Sequence, residues 1–276
     1  MEQFKIRASG AGDISANSGL TEAQLEKVST YSARAKGEGK PLTDKMKAEL
    51  AKLLEIQKNP ELPEGAKTYC KEWLKEQLYK RRKDIKSKYI DKGNRNEEDG
   101  FTLMALELDL GMVYKNQSYF QSEHFCGTPD LIHNGIVYDN KCSWDLSTFP
   151  MFETEIPNKD YWWQLQVYMY LTGCKKAILA YTLIDADMDL IQQAVKWETD
   201  PEKIYQTVCN MVYTKERFNE AFAEFCPLAK SDYFIEIPAK DRIKTFAFDY
   251  DAEAITKLKE RVLECREYIN SLLNTK

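Results

Sequence analysis

The sequence predicts a mixed α/β (α+β) protein, with a β-sheet flanked by helices and a helical N-terminal region. A β-hairpin is indicated by Asn134-Gly135 between two runs of β-branched, aliphatic and aromatic residues, because both central residues of such a tight turn need a positive φ. An aromatic-rich helix over residues 158–173 comes next, and an apolar strand over residues 177–184 follows it. A hairpin, a helix and a further strand in this order give a mixed sheet with the helix packed on one face.

The other elements are predicted from apolar residues at helical spacing and from breaking residues. Thr43 is expected to cap a helix over residues 44–57, which ends before Asn59-Pro60. Further helices are predicted over residues 64–82, 95–110, 201–224 and 251–273, with a strand over residues 244–249. We expect one domain over residues 1–276, with an N-terminal arm and helix in 1–60, a core in 93–184 and completing helices and a strand in 185–276.

Composition narrows the chemistry that this chain supports. Seven scattered cysteines form neither a disulfide framework nor a Cys-x-x-Cys metal motif, which predicts reduced thiols in a cytoplasmic protein. His124 and His133 are the only histidines, which argues against a Ser-His-Asp hydrolase and a histidine-rich zinc site. No run approaches the ~18 apolar residues of a membrane helix, and the first residues lack the apolar core of a signal peptide. We therefore expect no membrane association.

Charge is distributed unevenly along the chain. The formal net charge is −5, yet residues 75–95 hold nine basic side chains against three acidic ones. A local basic segment of this kind can follow a phosphate backbone. A solvated helix end and loop explains the charge equally well. The candidate DNA contacts in this segment are Arg81, Arg82, Lys86 and Lys88.

The hairpin brings two aspartates and a lysine to one face of the sheet. With a two-residue loop, Asp130 faces Asp139, and Lys141 lies on the same face because side chains alternate along a strand. At a Cβ separation of about 5 Å and an effective dielectric of about 20, two carboxylates repel by roughly 3 kcal/mol. A divalent cation such as Mg²⁺ removes that cost, and the lysine could then hold or deprotonate a water. The pattern suits metal-assisted phosphodiester hydrolysis. A surface hairpin with solvated acids is the alternative, and a three-residue loop would undo the pairing.

Two more polar side chains lie on otherwise apolar helices. Glu97 heads a helical stripe that continues through Phe101, Met104 and Leu108, where a carboxylate needs a partner such as a metal ion or Lys141. Alternatively, Glu97 is an acid of the first helical turn, favoured by the helix dipole. Gln164 and Tyr168 are i, i+4 neighbours in the aromatic helix. A glutamine there needs hydrogen-bond partners, which a DNA phosphate or a metal-bound water would supply.

Four short motifs occur in order between residues 93 and 172: Gly93-Asn-Arg-Asn-Glu97, Gly127-Thr-Pro-Asp130, Asp139-Asn-Lys141 and Gln164-Leu-Gln-Val-Tyr168. Together they resemble the motifs of the PD-(D/E)xK nuclease superfamily, in the branch of lambda-exonuclease-like phage nucleases and RecB-type nuclease domains. Position 139 is Asp where Glu is commoner in that family. Ile6-Arg-Ala-Ser9 resembles an N-terminal Arg/Ser element with which such exonucleases hold a DNA phosphate.

The resemblance implies a restriction-endonuclease-like core and a role for each matching residue. One Mg²⁺ or Mn²⁺ would be held by Asp130, Asp139 and the carbonyl of Asn140, with Glu97 helping directly or through water. Lys141 would orient or deprotonate the attacking water, Gln164 would position water or phosphate with support from Tyr168, and Arg7 and Ser9 would hold a phosphate. Cys226 and Cys265 lie too far apart in the sequence for the iron–sulfur cluster of some relatives.

The expected function is that of a Mg²⁺-dependent phage-type DNA exonuclease that leaves 5′-phosphates and resects duplex ends in recombination. The resemblance makes a strand-annealing protein a plausible partner and leaves a homo-oligomer open. A flap or structure-specific endonuclease with the same site is one alternative. The others are a catalytically silent DNA-binding protein and a metal-binding protein with no nucleic-acid role.

Overall fold

The computed structural model describes residues 2–16, 19–58, 60–82, 93, 95–228 and 233–274. The strands are β1 (Ile6–Arg7), β2 (Phe120–Gln121), β3 (Phe125–Gly127), β4 (Leu131–His133), β5 (Ile136–Cys142), β6 (Lys176–Thr182) and β7 (Ile243–Asp249). The helices are α1 (Ala11–Ser15), α2 (Glu22–Ala35), α3 (Asp44–Lys58), α4 (Glu64–Tyr79), α5 (Glu97–Glu107), α6 (Lys159–Thr172), α7 (Met188–Val195), α8 (Pro201–Met211), α9 (Lys215–Phe225) and α10 (Ala252–Asn274). Two short 3₁₀ turns, Ala8–Gly10 and Ala239–Asp241, complete the assignment.

The chain divides into two compact units. The first contains Met1–Arg82, Ser122–Cys126 and Ala252–Lys276, and the second contains Lys83–Gln121 and Gly127–Asp251. The single domain over residues 1–276 that we expect from the sequence stays a prediction.

The first unit is mainly helical. Residues read from sequence as a polar N-terminal arm contain strand β1, which pairs in parallel with β3, and they bury Phe4, Ile6 and Ile14. The sequence did not predict that these apolar side chains are buried, because polar residues separate them along the chain. Helix α10, predicted over residues 251–273, buries an apolar stripe from Ile255 to Ile269.

The caps explain where the helices of the first unit begin and end. Helix α2 was not predicted, although Thr21 and Gln24 form a capping box at its start. Helix α3 begins after Thr43, whose hydroxyl accepts the amide of Met46, as expected. Helix α4 ends at Tyr79, earlier than residue 82, because Lys80 takes a left-handed conformation with φ 52°.

The second unit contains the mixed sheet that the sequence predicts. Its strand order is β4-β5-β6-β7, with β5 and β6 parallel and the two outer pairs antiparallel. Helix α6 connects β5 to β6 and ends at Thr172, directly before Gly173, which caps it in a left-handed conformation with a φ of 78°. Helices α5 and α6 both pack on β5 and β6. They contact side chains of opposite orientation on β5, so they cover opposite faces of the sheet.

The region predicted as one helix over residues 201–224 consists of two helices, α8 and α9. The chain is extended at Val212, and Thr214 caps the second helix by accepting the amide of Arg217. The Asp185 carboxylate accepts the amides of Tyr213 and Thr214. The break therefore has a tertiary cause that helical periodicity does not show.

Two further findings bear on the expectations from composition. All seven cysteines lie outside disulfide bonds in the part of the chain that the structure describes. In the part of the chain that the structure describes, none of the helices has the length and apolar character needed to cross a membrane.

Candidate active site

The β4–β5 hairpin has the predicted two-residue turn and register. Asn134 and Gly135 have φ values of 48° and 75°, and Leu131 pairs with Tyr138 at the far end of the ladder. Asp130 is the residue just before β4, so the same register places it opposite Asp139. The predicted two-residue turn and the register from Leu131 to His133 are confirmed, whereas Asp130 lies one residue beyond this ladder and its pairing with Asp139 stays a prediction.

Asp130, Asp139 and Lys141 form a compact, largely buried group. One carboxylate oxygen of Asp130 accepts the backbone amide of Asn140 at 3.1 Å. Asp139 is only 1% exposed, and its Oδ2 lies 2.7 Å from Lys141 Nζ in an ion pair. The lysine therefore offsets part of the repulsion between the two acids.

The electrostatics of the group follow from burial and from these charges. Burial, and then the negative charge of Asp139, raise the pKa of Asp130 to about 7. Burial alone would lower the pKa of Lys141, but the carboxylates of Asp139 and Asp130 outweigh it and raise that pKa above its usual value. Lys141 is thus held as a cation by these residues.

Helix α6 places two polar side chains beside Asp139. Gln164 Nε2 lies 3.4 Å from Asp139 Oδ1 and 3.1 Å from the hydroxyl of Tyr168. Burial, and then the nearby charge of Asp139, raise the pKa of Tyr168 to about 12, so it remains a neutral hydroxyl. The i, i+4 pair predicted from sequence therefore contacts the hairpin directly.

Tyr161 is a neighbour of the site that the sequence analysis did not single out. Lys141 Nζ lies 4.9 Å from the centre of its ring, within cation–π range. Its place one turn before Gln164 was the available signal, because residues three apart share a helix face.

The other face of β5 carries a polar cluster under helix α5. Asn140 Oδ1 accepts the hydroxyl of Thr182 at 3.0 Å, and Cys142 Sγ lies 3.5 Å from Asn140 Nδ2. Gly100 lies directly against this cluster: a Cβ at that position would be 2.4 Å from Asn140 Nδ2. The absence of a side chain at Gly100 is what allows α5 to lie so close to the sheet.

Glu97 is the first residue of α5, and its cationic partner is Lys115 rather than Lys141; a metal ion as its partner stays a prediction. Its carboxylate pairs with Lys115 Nζ at 2.5 Å, and both side chains are about half exposed. Its negative charge still contributes to the raised pKa of Asp130, so it lies within electrostatic range of the hairpin.

The donor set fits a hard divalent cation better than a soft one. Across the residues that the structure describes, no three His, Cys, Asp or Glu side chains form a ready metal-binding group. Asp130 and Asp139 nevertheless supply two close carboxylates, and the buried Asp139 Oδ2 has the ion pair with Lys141 as its contact among those residues. Mg²⁺ typically uses one or two carboxylates with waters, whereas zinc favours His and Cys ligands. The site therefore fits Mg²⁺ or Mn²⁺.

The predicted DNA contacts lie elsewhere in the chain. Arg7 pairs with Glu76 at 2.7 Å, and that hydrogen bond raises the pKa of Arg7. Ser9 is exposed, as are Arg81 and Arg82 after helix α4. Lys86 and Lys88 lie outside the described residues. Arg7 and Ser9 belong to the first unit, whereas the hairpin acids belong to the second.

The mixed sheet with helices on its two faces is the mixed α/β fold that the sequence predicts. Comparison with solved structures then gives particular proteins of this fold. The chain is similar to a phage-related exonuclease from Haemophilus somnus 129PT, with a TM-score of 0.67 and 22% identity over 99% of this chain and 97% of that one. It is also similar to LHK-Exo, an alkaline exonuclease from Laribacter hongkongensis, with a TM-score of 0.54 and 12% identity over 98% of this chain and 92% of that one.

A second structure of LHK-Exo, in complex with dAMP, matches with a TM-score of 0.52 and 13% identity. No protein-family model matches the chain, and no curated protein sequence does. At these identities the likeness is one of fold. It confirms the resemblance to lambda-exonuclease-like proteins at that level.

Proposed function

We propose that this protein is a Mg²⁺- or Mn²⁺-dependent DNA exonuclease of phage type, which leaves 5′-phosphates and resects duplex ends during recombination. The observation that carries the proposal is the buried group of Asp130, Asp139 and Lys141, with Gln164 in contact with Asp139. Two further findings support it: the structures with this fold include named exonucleases, and one of them is in complex with dAMP. Seven free thiols support a reducing, cytoplasmic location.

The acids of the hairpin would hold the metal. The cation would be bound by Asp130, Asp139 and the carbonyl of Asn140, and Glu97 would help directly or through water. It would neutralise the carboxylates and polarise the scissile phosphate. Asp130 lies one residue before the hairpin ladder, and its carboxylate accepts the amide of Asn140, the residue after Asp139. Their mutual repulsion is the energetic reason for a cation at this place.

Lys141 would orient the attacking water and stabilise charge on the phosphate. Its ammonium group is held between Asp139 and the ring of Tyr161, which leaves little freedom in its position. While no cation neutralises the charges of Asp130 and Asp139, the raised pKa of Lys141 keeps this side chain protonated. It becomes a base for the water only where the charges of Asp130 and Asp139 are compensated.

Gln164 would keep Asp139 in place and direct an amide toward water or phosphate. Tyr168 supports it through the hydroxyl that accepts the same amide. Attack of the water on phosphorus, with loss of the 3′-oxygen of the neighbouring nucleotide, gives a 5′-phosphate and a 3′-hydroxyl.

The basic side chains would hold the DNA backbone. Arg81 and Arg82 are exposed, and positions 80–83 of the sequence contain no acidic residue. Arg7 and Ser9 would offer a second phosphate contact. Lys86 and Lys88 extend the same basic segment. Phosphate contacts of this kind position a duplex and do not read its bases.

The test is digestion of end-labelled linear duplex DNA with Mg²⁺, with EDTA, and with the Lys141→Ala variant. We expect progressive loss from one end that requires the metal, and a decrease of about 10²–10⁴-fold in kcat for Lys141→Ala, the range for loss of a proton-transfer group. Lys176→Ala is the matched control, because Lys176 is exposed on the neighbouring strand β6.

Three results would contradict the proposal in different ways. Equal activity of Lys141→Ala and Lys176→Ala would remove the assigned site. Cleavage of closed circular DNA would replace the exonuclease with an endonuclease. DNA binding without metal-dependent cleavage would leave a silent DNA-binding protein.

A further inference from the structure

A loop segment, residues 115–118, contacts the backbone beside Asp130. The amide of Asn116 donates to the carbonyl of Asp130 at 2.7 Å. The side-chain amide of Asn116 donates to the carbonyl of Pro129 at 2.9 Å and to that of Ser118 at 3.1 Å. Its Oδ1 accepts the amide of Ser118 at 3.1 Å. Asn116 therefore donates hydrogen bonds to two consecutive carbonyls, those of Pro129 and Asp130. Its bonds with Ser118 fix the turn in which Asn116 itself lies.

Asp130 needs such support because it lies outside the sheet. Strand β4 begins one residue later, at Leu131, so the ladder pairs that start with Leu131 and Tyr138 do not include Asp130. Its carboxylate must nevertheless stay within 3.1 Å of the amide of Asn140.

We propose that Asn116 is a positioning residue for Asp130. Its two hydrogen bonds to the carbonyls of Pro129 and Asp130 fix the peptide that carries this carboxylate, and they thereby hold in place a ligand for the divalent cation. The inference rests on the proposed function for the identity of the cation. It adds a residue, 14 positions before Asp130 in the sequence, that lies in none of the four motifs.

The proposal can be tested without measuring catalysis. Asn116→Ala removes the bond to Pro129 but keeps the backbone bond to Asp130, so the fold should survive the change. The matched control is Gln117→Ala, because Gln117 is exposed in the same loop. Asn116→Ser, which keeps a shorter donor, is a second variant for which a smaller effect in the same direction is expected.

The first measurement is amide hydrogen exchange of the metal-free protein. The amide of Asn140 reports on the Asp130 carboxylate, which is its acceptor. We expect this amide to exchange faster in Asn116→Ala, while amides inside α6 are unchanged. Gln117→Ala should exchange like the wild-type protein throughout.

The second measurement is calorimetric titration with Mn²⁺ in the absence of DNA. Loss of a residue that orients a metal ligand costs about 10–100-fold in metal affinity, and we expect a weakening in this range for Asn116→Ala. Its kcat should then recover at high Mn²⁺, which a general loss of folded protein would not allow.

The outcomes separate this inference from the proposed function. If wild-type and Asn116→Ala bind Mn²⁺ equally, with equal exchange at Asn140, the positioning role is wrong and the proposed function stands. If the wild-type protein binds no Mn²⁺, the proposed function fails and this inference fails with it.

Discussion

Replacing Gly100 by alanine tests how closely helix α5 lies on the sheet. The added Cβ would be 2.4 Å from Asn140 Nδ2, 2.7 Å from Cys142 Sγ and 2.8 Å from Thr182 Oγ1. These atoms are linked to one another by hydrogen bonds, so they cannot move independently to make room. Either the helix shifts outward or the cluster breaks.

The expected effect is the balance of three contributions. Overpacking a tightly packed position costs about 1–3 kcal/mol, and loss of the bond between Thr182 and Asn140 costs roughly 1 kcal/mol. Alanine in place of glycine inside a helix returns about 1 kcal/mol. We therefore expect Gly100→Ala to lower the free energy of unfolding by about 1–3 kcal/mol, a decrease in the urea midpoint on the order of 1 M.

The assay is urea denaturation followed by circular dichroism, with Thr102→Ala as control. Thr102 is exposed in the same helix, so its replacement should leave the midpoint nearly unchanged. The double variant of Gly100→Ala with Cys142→Ala removes one of the three close contacts. We expect the double variant to lose less free energy of unfolding than the two single variants lose together. A Gly100→Ala protein as stable as the wild-type protein would refute the reasoning.

Three further predictions concern the site. Lys115→Met should free the carboxylate of Glu97 and tighten Mn²⁺ binding several-fold by calorimetry, and an unchanged affinity would show that Glu97 does not help to hold the metal. Because the pKa of Asp130 is raised to about 7, a cation must displace its proton at lower pH. Mn²⁺ affinity should therefore fall by about tenfold per pH unit below 7, and a flat profile from pH 5 to 8 would contradict this. Tyr168→Phe removes the hydroxyl that accepts the amide of Gln164, so kcat should fall by about fivefold, the effect of one hydrogen bond of roughly 1 kcal/mol, with little change in KM. A change confined to KM would assign Tyr168 to substrate binding.

The parts of the site that the sequence predicted are those set by short-range rules. The turn at Asn134-Gly135 fixes the register of the hairpin, and the register in turn fixes the faces of Asp130, Asp139 and Lys141. The contact between Gln164 and Tyr168 follows from helical spacing alone. In each case the residues concerned lie a few positions apart along one element, or across one tight turn.

The parts that could not be predicted depend on contacts between distant segments. Lys115 is the partner of Glu97, but it lies in a loop without periodicity that no local rule connects to α5. The break between α8 and α9 needs the carboxylate of Asp185, which belongs to the chain after β6. The close approach at Gly100 is likewise visible only once α5 and β5 are placed together.

The position of the hairpin in the chain has a consequence for the order of folding. Asp130 and Asp139 are joined by one tight turn, and hairpins form in about 1–10 μs, whereas β6 pairs with β5 across the longer connection that contains helix α6. The two acids should therefore meet while water still surrounds them, where like charges 4 Å apart repel by only about 1 kcal/mol. Pulse-labelling hydrogen exchange should show the β4 and β5 amides protected before those of β6, and the reverse order would contradict this sequence. The strong repulsion then arises late, when α6 closes over Asp139 and Lys141 has already reached it.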